Sequence, residues 1–169
     1  MERFPLSFYQ RDVLEVAPLI LGKTLFCKVD NAVKPFQIKE VEAYRGEEDL
    51  ACHAAKGKTP RTKIMYDEGG HVYVYLIYGM YWMLNIVTAE KNNPQALLIR
   101  GITGFNGPGK LTKALNIDKT YYGENLATSK RIWVSNNEEA IKFSTTPRIG
   151  IDYAGEPWKS KLWRFVVDK

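Results

Sequence analysis

Cysteine and histidine are scarce in this chain, with two of each in 169 residues. Cys27 and Cys52 stand far apart, so there is no disulfide framework of the kind that staples small secreted domains. The chain reads as one for a reducing compartment, and a cytoplasmic location is expected. Cys52 and His53 are neighbours, but the four residues give no metal-ligand spacing, and no metal is expected. Neither a Gly-rich dinucleotide fingerprint nor a P-loop occurs, and no cofactor is expected. No apolar run approaches the roughly 18 residues of a membrane span, so no membrane partner is expected. The opening stretch carries acidic residues early and lacks the long apolar core of a signal peptide. Repeats, low-complexity tracts and linkers are missing too.

What is present suits one globular domain over residues 1–169, expected to be a monomer. The chain is 45% hydrophobic and 25% charged, enough apolar material for a core of its own. The net charge is +5. A basic excess fits a nucleic-acid partner, because phosphate neutralisation is the sequence-independent part of such binding. It equally fits a surface kept soluble by charge.

The pattern along the chain mixes helix and strand. Ser7 to Leu21 reads as a helix capped by Ser7, interrupted or kinked at Pro18 and ended by Gly22. Thr24–Val29 and Phe36–Tyr44 read as strands. In the second, Ile38, Glu40 and Glu42 share one face. Arg45 to Lys63 is a long polar loop, a length that is usually functional or disordered. Val72–Ile77 and Tyr81–Val87 form a β-hairpin around Tyr78-Gly79-Met80, where Gly79 can take the positive φ of a tight turn. Ala96–Ile102 is a further strand, and Gly107–Ile117 turns into a short helix. Arg131–Val134, Arg148–Ile151 and Trp163–Val167 read as short strands. No βαβ rhythm appears. The fold class is therefore α+β: a curved, largely antiparallel sheet with flanking helices and a protruding hairpin.

Several residues could carry chemistry. Glu40 and Glu42 interrupt an apolar strand. A solvated strand face is the commoner reason for such a pair. A carboxylate in a partly dry cleft, its proton affinity raised by a like-charged neighbour, would instead be a general base toward water. Four tyrosines fall in the nine residues 73–81. Each alone could be core, but buried hydroxyls need partners, and such aromatic surfaces stack bases. A ring at a hairpin tip can wedge into a duplex. Asn85 lies in an apolar strand, where its amide either bonds to backbone or reads a base edge. Gly107-Pro108-Gly109-Lys110 is either a turn into a helix or a phosphate contact through Lys110. Lys56, Lys58, Arg61 and Lys63 are either solvated or track a phosphate backbone.

The stretches EVEAYRGEEDLACHAAKGKTPR, YVYLIYGMYWMLNIV, LLIRG and GPGKL resemble, in order, motifs of the alkyladenine (3-methyladenine) DNA glycosylase family. LILGKTL and RIGI fit as well, so the resemblance spans nearly the whole chain, and its short N-terminal part is similar to the compact bacterial members. The resemblance implies excision of alkylated or deaminated purines from double-stranded DNA. The damaged base is flipped out, and its cost of unstacking, a few kcal/mol, favours lesions that pair poorly. By position, Glu42 corresponds to the general base and Arg100 to its partner in holding water. Tyr44, His53 and Tyr75 correspond to walls of the base pocket. Asn85 corresponds to the residue that disfavours guanine, and Tyr78 to the wedge. Arg61 and Lys110 are expected to contact phosphate. No lysine sits in these motifs as a Schiff-base nucleophile, so no strand cleavage is expected. Two departures stand out. Thr62 occupies a position where asparagine is expected, and the link from Arg100 to Gly107 is short, which implies fewer DNA contacts. The competing reading is a non-catalytic nucleic-acid-binding module, which has no reason to keep a carboxylate beside a phosphate-binding surface.

Overall fold

The computed structural model describes residues 2–169. Its frame is a sheet of ten strands in which every pairing is antiparallel. In chain order the elements are β1 (Glu2–Arg3), α1 (Leu6–Tyr9), α2 (Val13–Ile20), β2 (Thr24–Val29), β3 (Ala32–Arg45), β4 (Val72–Ile77), β5 (Tyr81–Thr88), β6 (Gln95–Ile102), β7 (Phe105–Asn106), α3 (Pro108–Ala114), β8 (Ile132–Asn136), β9 (Phe143–Thr146) and β10 (Arg164–Val167). The main path runs β1-β8-β2-β3-β6-β5-β4, with β10 paired to β3 and β9, and β7 paired to β6. The α+β class expected from the pattern is the class observed.

Turn chemistry sets two of the hairpins. Asp30 and Asn31 both adopt positive φ between β2 and β3, the pair of left-handed residues that a tight two-residue hairpin requires. Between β4 and β5, Tyr78 (φ 54°) and Gly79 (φ 66°) do the same, and the Met80 N–H donates to the Ile77 carbonyl at 3.1 Å. The hairpin protrudes, with Tyr78 84% exposed at its tip.

The N-terminal helix differs from expectation. It is two helices, broken at residues 10–12 rather than at Pro18. Asp12, not Ser7, caps the second by accepting from the Leu14 N–H, which satisfies a donor that the first turn leaves unpaired. The helix then continues through Pro18. Val13, Val16, Ala17 and Ile20 are fully buried, a helical stripe that seals one face of the sheet. Arg148–Ile151, expected as a strand, is a loop. Its branched side chains imitate a strand, but Gly150 bends the backbone at φ 73°.

β3 is the element that matters for the site. Its first half pairs with β2, and its second half lies between β6 and β10. Glu40 and Glu42 therefore stand at the middle of the sheet, with strands on both sides. A local pairing irregularity falls at Glu40, with the same register on either side of it.

Candidate active site

Glu42 has no solvent-exposed surface. Its Oε1 accepts from the Tyr44 hydroxyl at 2.9 Å, and its Oε2 from the Ile149 N–H at 2.6 Å. Arg100 on β6 brings Nη1 to 3.7 Å from Oε1, beyond direct hydrogen bonding. The same guanidinium donates through Nε to Glu40 Oε2 at 2.9 Å, and Arg164 donates to that oxygen at 2.6 Å. Glu40 thus holds two arginines and keeps Arg100 beside Glu42. Burial raises the proton affinity of Glu42; Arg100, the Ile149 N–H and the Tyr44 hydroxyl oppose this, while Glu40 adds to it.

Glu42 lines a cavity of about 930 Å³ together with Tyr44, His53, Arg61, Tyr75, Arg100 and Lys110. Tyr78 also borders it. A volume of that size suits a nucleotide-sized ligand. A deeper recess of about 50 Å³ opens beneath Tyr44, His53 and Tyr75 and contains Asn85. The Asn85 amide nitrogen donates to the Tyr73 carbonyl at 3.2 Å and to the Met83 carbonyl at 3.4 Å. Its nitrogen is spent on backbone.

The aromatic wall comes from two distant segments. Tyr73 and Tyr75 alternate along β4, and His53 sits in a 3-10 turn, His53–Lys56, after β3. The His53 and Tyr75 rings are 4.2 Å apart at their centres. His53 Nδ1 and the Tyr73 hydroxyl are 2.8 Å apart. Arg61 Nη2 lies 3.1 and 3.2 Å from the two imidazole nitrogens, near-equal distances that put it against the ring face. Burial, then Arg61 and Lys56, lower the His53 pKa to about 4, so the ring is neutral at physiological pH. Burial also pushes Cys52, in the recess wall, up to about 12, which leaves it an unreactive thiol.

All nine residues to which the resemblance gives a role border the cavity or its recess. Of the basic loop, Arg61 turns inward, Lys56 borders a neighbouring cleft, and Lys58 lies over the Tyr66 ring at 5.7 Å. Thr62 is buried and closes its own loop through Thr59 and Gly57. The short Arg100–Gly107 link is a tight hairpin of β6 and β7, closed by the Gly107 N–H on the Arg100 carbonyl.

Three features escaped the sequence. Ile149 supplies the shortest hydrogen bond to Glu42, yet a backbone donor leaves no mark in residue identity. Tyr153 is 73% exposed and borders the large cavity and the recess. Arg148 and Asp49 form a buried ion pair behind the site, and the sequence reading gave Asp49 no role. Gly150 was the one available signal that the RIGI segment turns. Among the described residues no group of three or more His, Cys, Asp or Glu is placed to hold a metal ion, and no helix is long and apolar enough to cross a membrane.

The sequence matches known proteins along nearly its whole length. The profile of the family described as methylpurine-DNA glycosylase (MPG) matches residues 7–169. A protein of Sodalis glossinidius is 48% identical over 166 residues, covering 94% of this chain and 93% of that one. One from Desulfitobacterium hafniense (strain Y51) is 40% identical over 196 residues, covering 99% and 96%. One from Methanocella arvoryzae (strain DSM 22066 / NBRC 105507 / MRE50) is 41% identical over 185 residues, covering 98% and 92%. All three carry the provisional name 3-methyladenine DNA glycosylase. The chain belongs to the methylpurine-DNA glycosylase family and is a hydrolase of N-glycosyl bonds.

Proposed function

We propose that this enzyme removes alkylated or deaminated purines from duplex DNA by flipping the damaged nucleotide into the Glu42 cavity and hydrolysing its glycosidic bond, without cutting the strand. The observation that carries this is a fully buried carboxylate beside Arg100, in a cavity walled by tyrosine rings. Burial makes the Glu42 carboxylate a stronger base than an exposed one. The 3.7 Å gap to Arg100 is wide enough for a water that both groups touch. Glu42 takes a proton from that water as it attacks the sugar carbon. The same negative charge stabilises the oxocarbenium character that develops as the bond breaks.

Tyr44 and Tyr75 supply π-faces for the base. An alkylated purine carries positive charge, which strengthens its stacking on electron-rich rings. Asn85 crowds the 2-amino group of guanine. Tyr78 fills the space the base leaves, and Arg61 and Lys110 meet phosphates. The enzyme acts as a monomer and keeps no lysine for a Schiff base; Lys110, which borders the cavity, is exposed.

The test is an excision panel on duplexes carrying 3-methyladenine, 7-methylguanine, hypoxanthine or ethenoadenine, developed with hot alkali. Wild type releases at least one lesion and breaks the strand only after alkali. Glu42→Gln loses excision by about 1,000-fold or more, the combined cost of a general base and a charge at the reacting centre. Retained excision in that variant would falsify the assignment of Glu42.

A further inference from the structure

The loop that presents Ile149 is tied down by charges that take no part in the cavity. Arg148 and Asp49 have side chains with no exposed surface. Their pairing is forked: Arg148 Nη1 donates to Asp49 Oδ2 at 2.6 Å and Nη2 to Oδ1 at 3.0 Å. Arg148 Nη1 also donates to the Ala43 carbonyl on β3 at 3.0 Å. Asp49 accepts in addition from the Arg45 N–H at 3.0 Å and the Ala51 N–H at 3.1 Å. The Arg148 guanidinium lies 4.9 Å from the Tyr44 ring centre and 5.0 Å from that of Trp163. Its Nε has no partner among the described residues.

Stability is a poor reason to bury such a pair. Desolvation consumes much of the attraction, and apolar replacements are often no less stable. Its position offers a better one. The residue after Arg148 donates its N–H to Glu42 Oε2, and the ring beneath the guanidinium donates its hydroxyl to Glu42 Oε1. Both hydrogen bonds on the carboxylate therefore come from groups that adjoin Arg148. We propose that Arg148 and Asp49 are positioning residues, whose ion pair clamps the Arg148–Ile151 loop to the loop after β3 and so holds the Ile149 N–H and the Tyr44 hydroxyl on Glu42. The clamp rests on the assignment of Glu42 as the base.

The groups that face Glu42 set what its loss does. Arg100 faces it from β6, Glu40 and Tyr44 from β3 itself, Tyr75 from β4, and Tyr153 from the loop after Ile151. Arg164, opposite on β10, is engaged by Glu40. Without the clamp these neighbours stay, and the Ile149 donor drifts. Glu42 then loses a hydrogen bond that favours its ionised form, and its carboxylate is no longer fixed against the water.

The test uses Asp49→Asn/Arg148→Met in the full chain. Asparagine keeps an acceptor for one of the two backbone donors, which bond to different oxygens of Asp49, and methionine keeps an apolar stem against Tyr44 and Trp163. Single-turnover excision is measured against pH on the duplex that wild type excises best, beside duplex affinity and thermal unfolding. The expected result is a 10- to 100-fold fall in the rate, about the cost of a small misplacement, with unchanged affinity and an acid limb moved to higher pH. Arg148→Lys, which keeps the charge and loses the fork, falls between; should the double variant not fold, it decides with the same readouts. A folded variant with wild-type rate and acid limb, or a defect confined to affinity, overturns the clamp. Glu42→Gln run alongside separates the two claims. If it still excises, the base assignment is what fails; if it is inactive while the pair variants behave as wild type, only the clamp fails.

Discussion

Glu42 costs the fold stability. In the unfolded chain a glutamate titrates near 4.5, and in the native site burial holds its pKa higher. Between those values the native state binds more protons than the unfolded state, so stability falls as pH rises through the window and the full cost is present at neutral pH. Glu42→Gln keeps the size and removes the charge. It is expected to unfold at a higher temperature than wild type at pH 7.5, by on the order of 2–4 °C for each kcal/mol relieved, and the advantage should disappear below pH 4.5. Scanning calorimetry at both pH values checks it. Lower stability of the variant at neutral pH would mean that the Ile149 and Tyr44 hydrogen bonds outweigh the desolvation. Such an opposition of stability and activity is what the proposed role of Glu42 entails. Glu42 was legible as a charge out of place in an apolar strand. Asp49 was not, because an acid in a polar loop looks the same whether it meets water or an arginine 99 residues away.

The β4–β5 hairpin stores local strain at its tip. Tyr78 adopts φ 54°, a left-handed conformation that costs an L-residue about 1–2 kcal/mol. Glycine would relieve it, and the looser unfolded chain would take part of the gain back. Tyr78→Gly is therefore expected to stabilise the fold by up to about 1 kcal/mol in urea titrations. If the ring acts as a wedge, the same variant excises lesions from duplex at least about 10-fold more slowly, since extrusion costs a few kcal/mol. On single-stranded DNA, where little is left to unstack, the loss should be small. Equal losses on both substrates would place Tyr78 in base binding rather than in flipping. The sequence located this hairpin because alternation and a glycine are local signals. It misplaced the helix break, because Asp12 capping and the packing of α2 on the sheet outweighed the cost of Pro18 inside a helix. It also read the RIGI loop as a strand, because β-branched residues suit both a strand and a loop pinned by burial.

Across the whole molecule the net charge of +5 sets a long-range attraction to DNA. Duplex affinity is expected to fall linearly in a plot of log affinity against log salt, and Lys110→Ala should reduce that slope by about one while weakening damaged and undamaged duplexes alike. An unchanged slope would remove Lys110 from the phosphate contacts.

Local chemistry wrote the alternation of the strands, the positive-φ turns and the inventory of acids, bases and rings, since each depends on near neighbours in the chain. Which acid goes dry, and what touches it, depended on the packing of β3 between β6 and β10 and on a loop 107 residues away donating one N–H. Burial and backbone donation are properties of the assembled sheet, and no residue type encodes them alone.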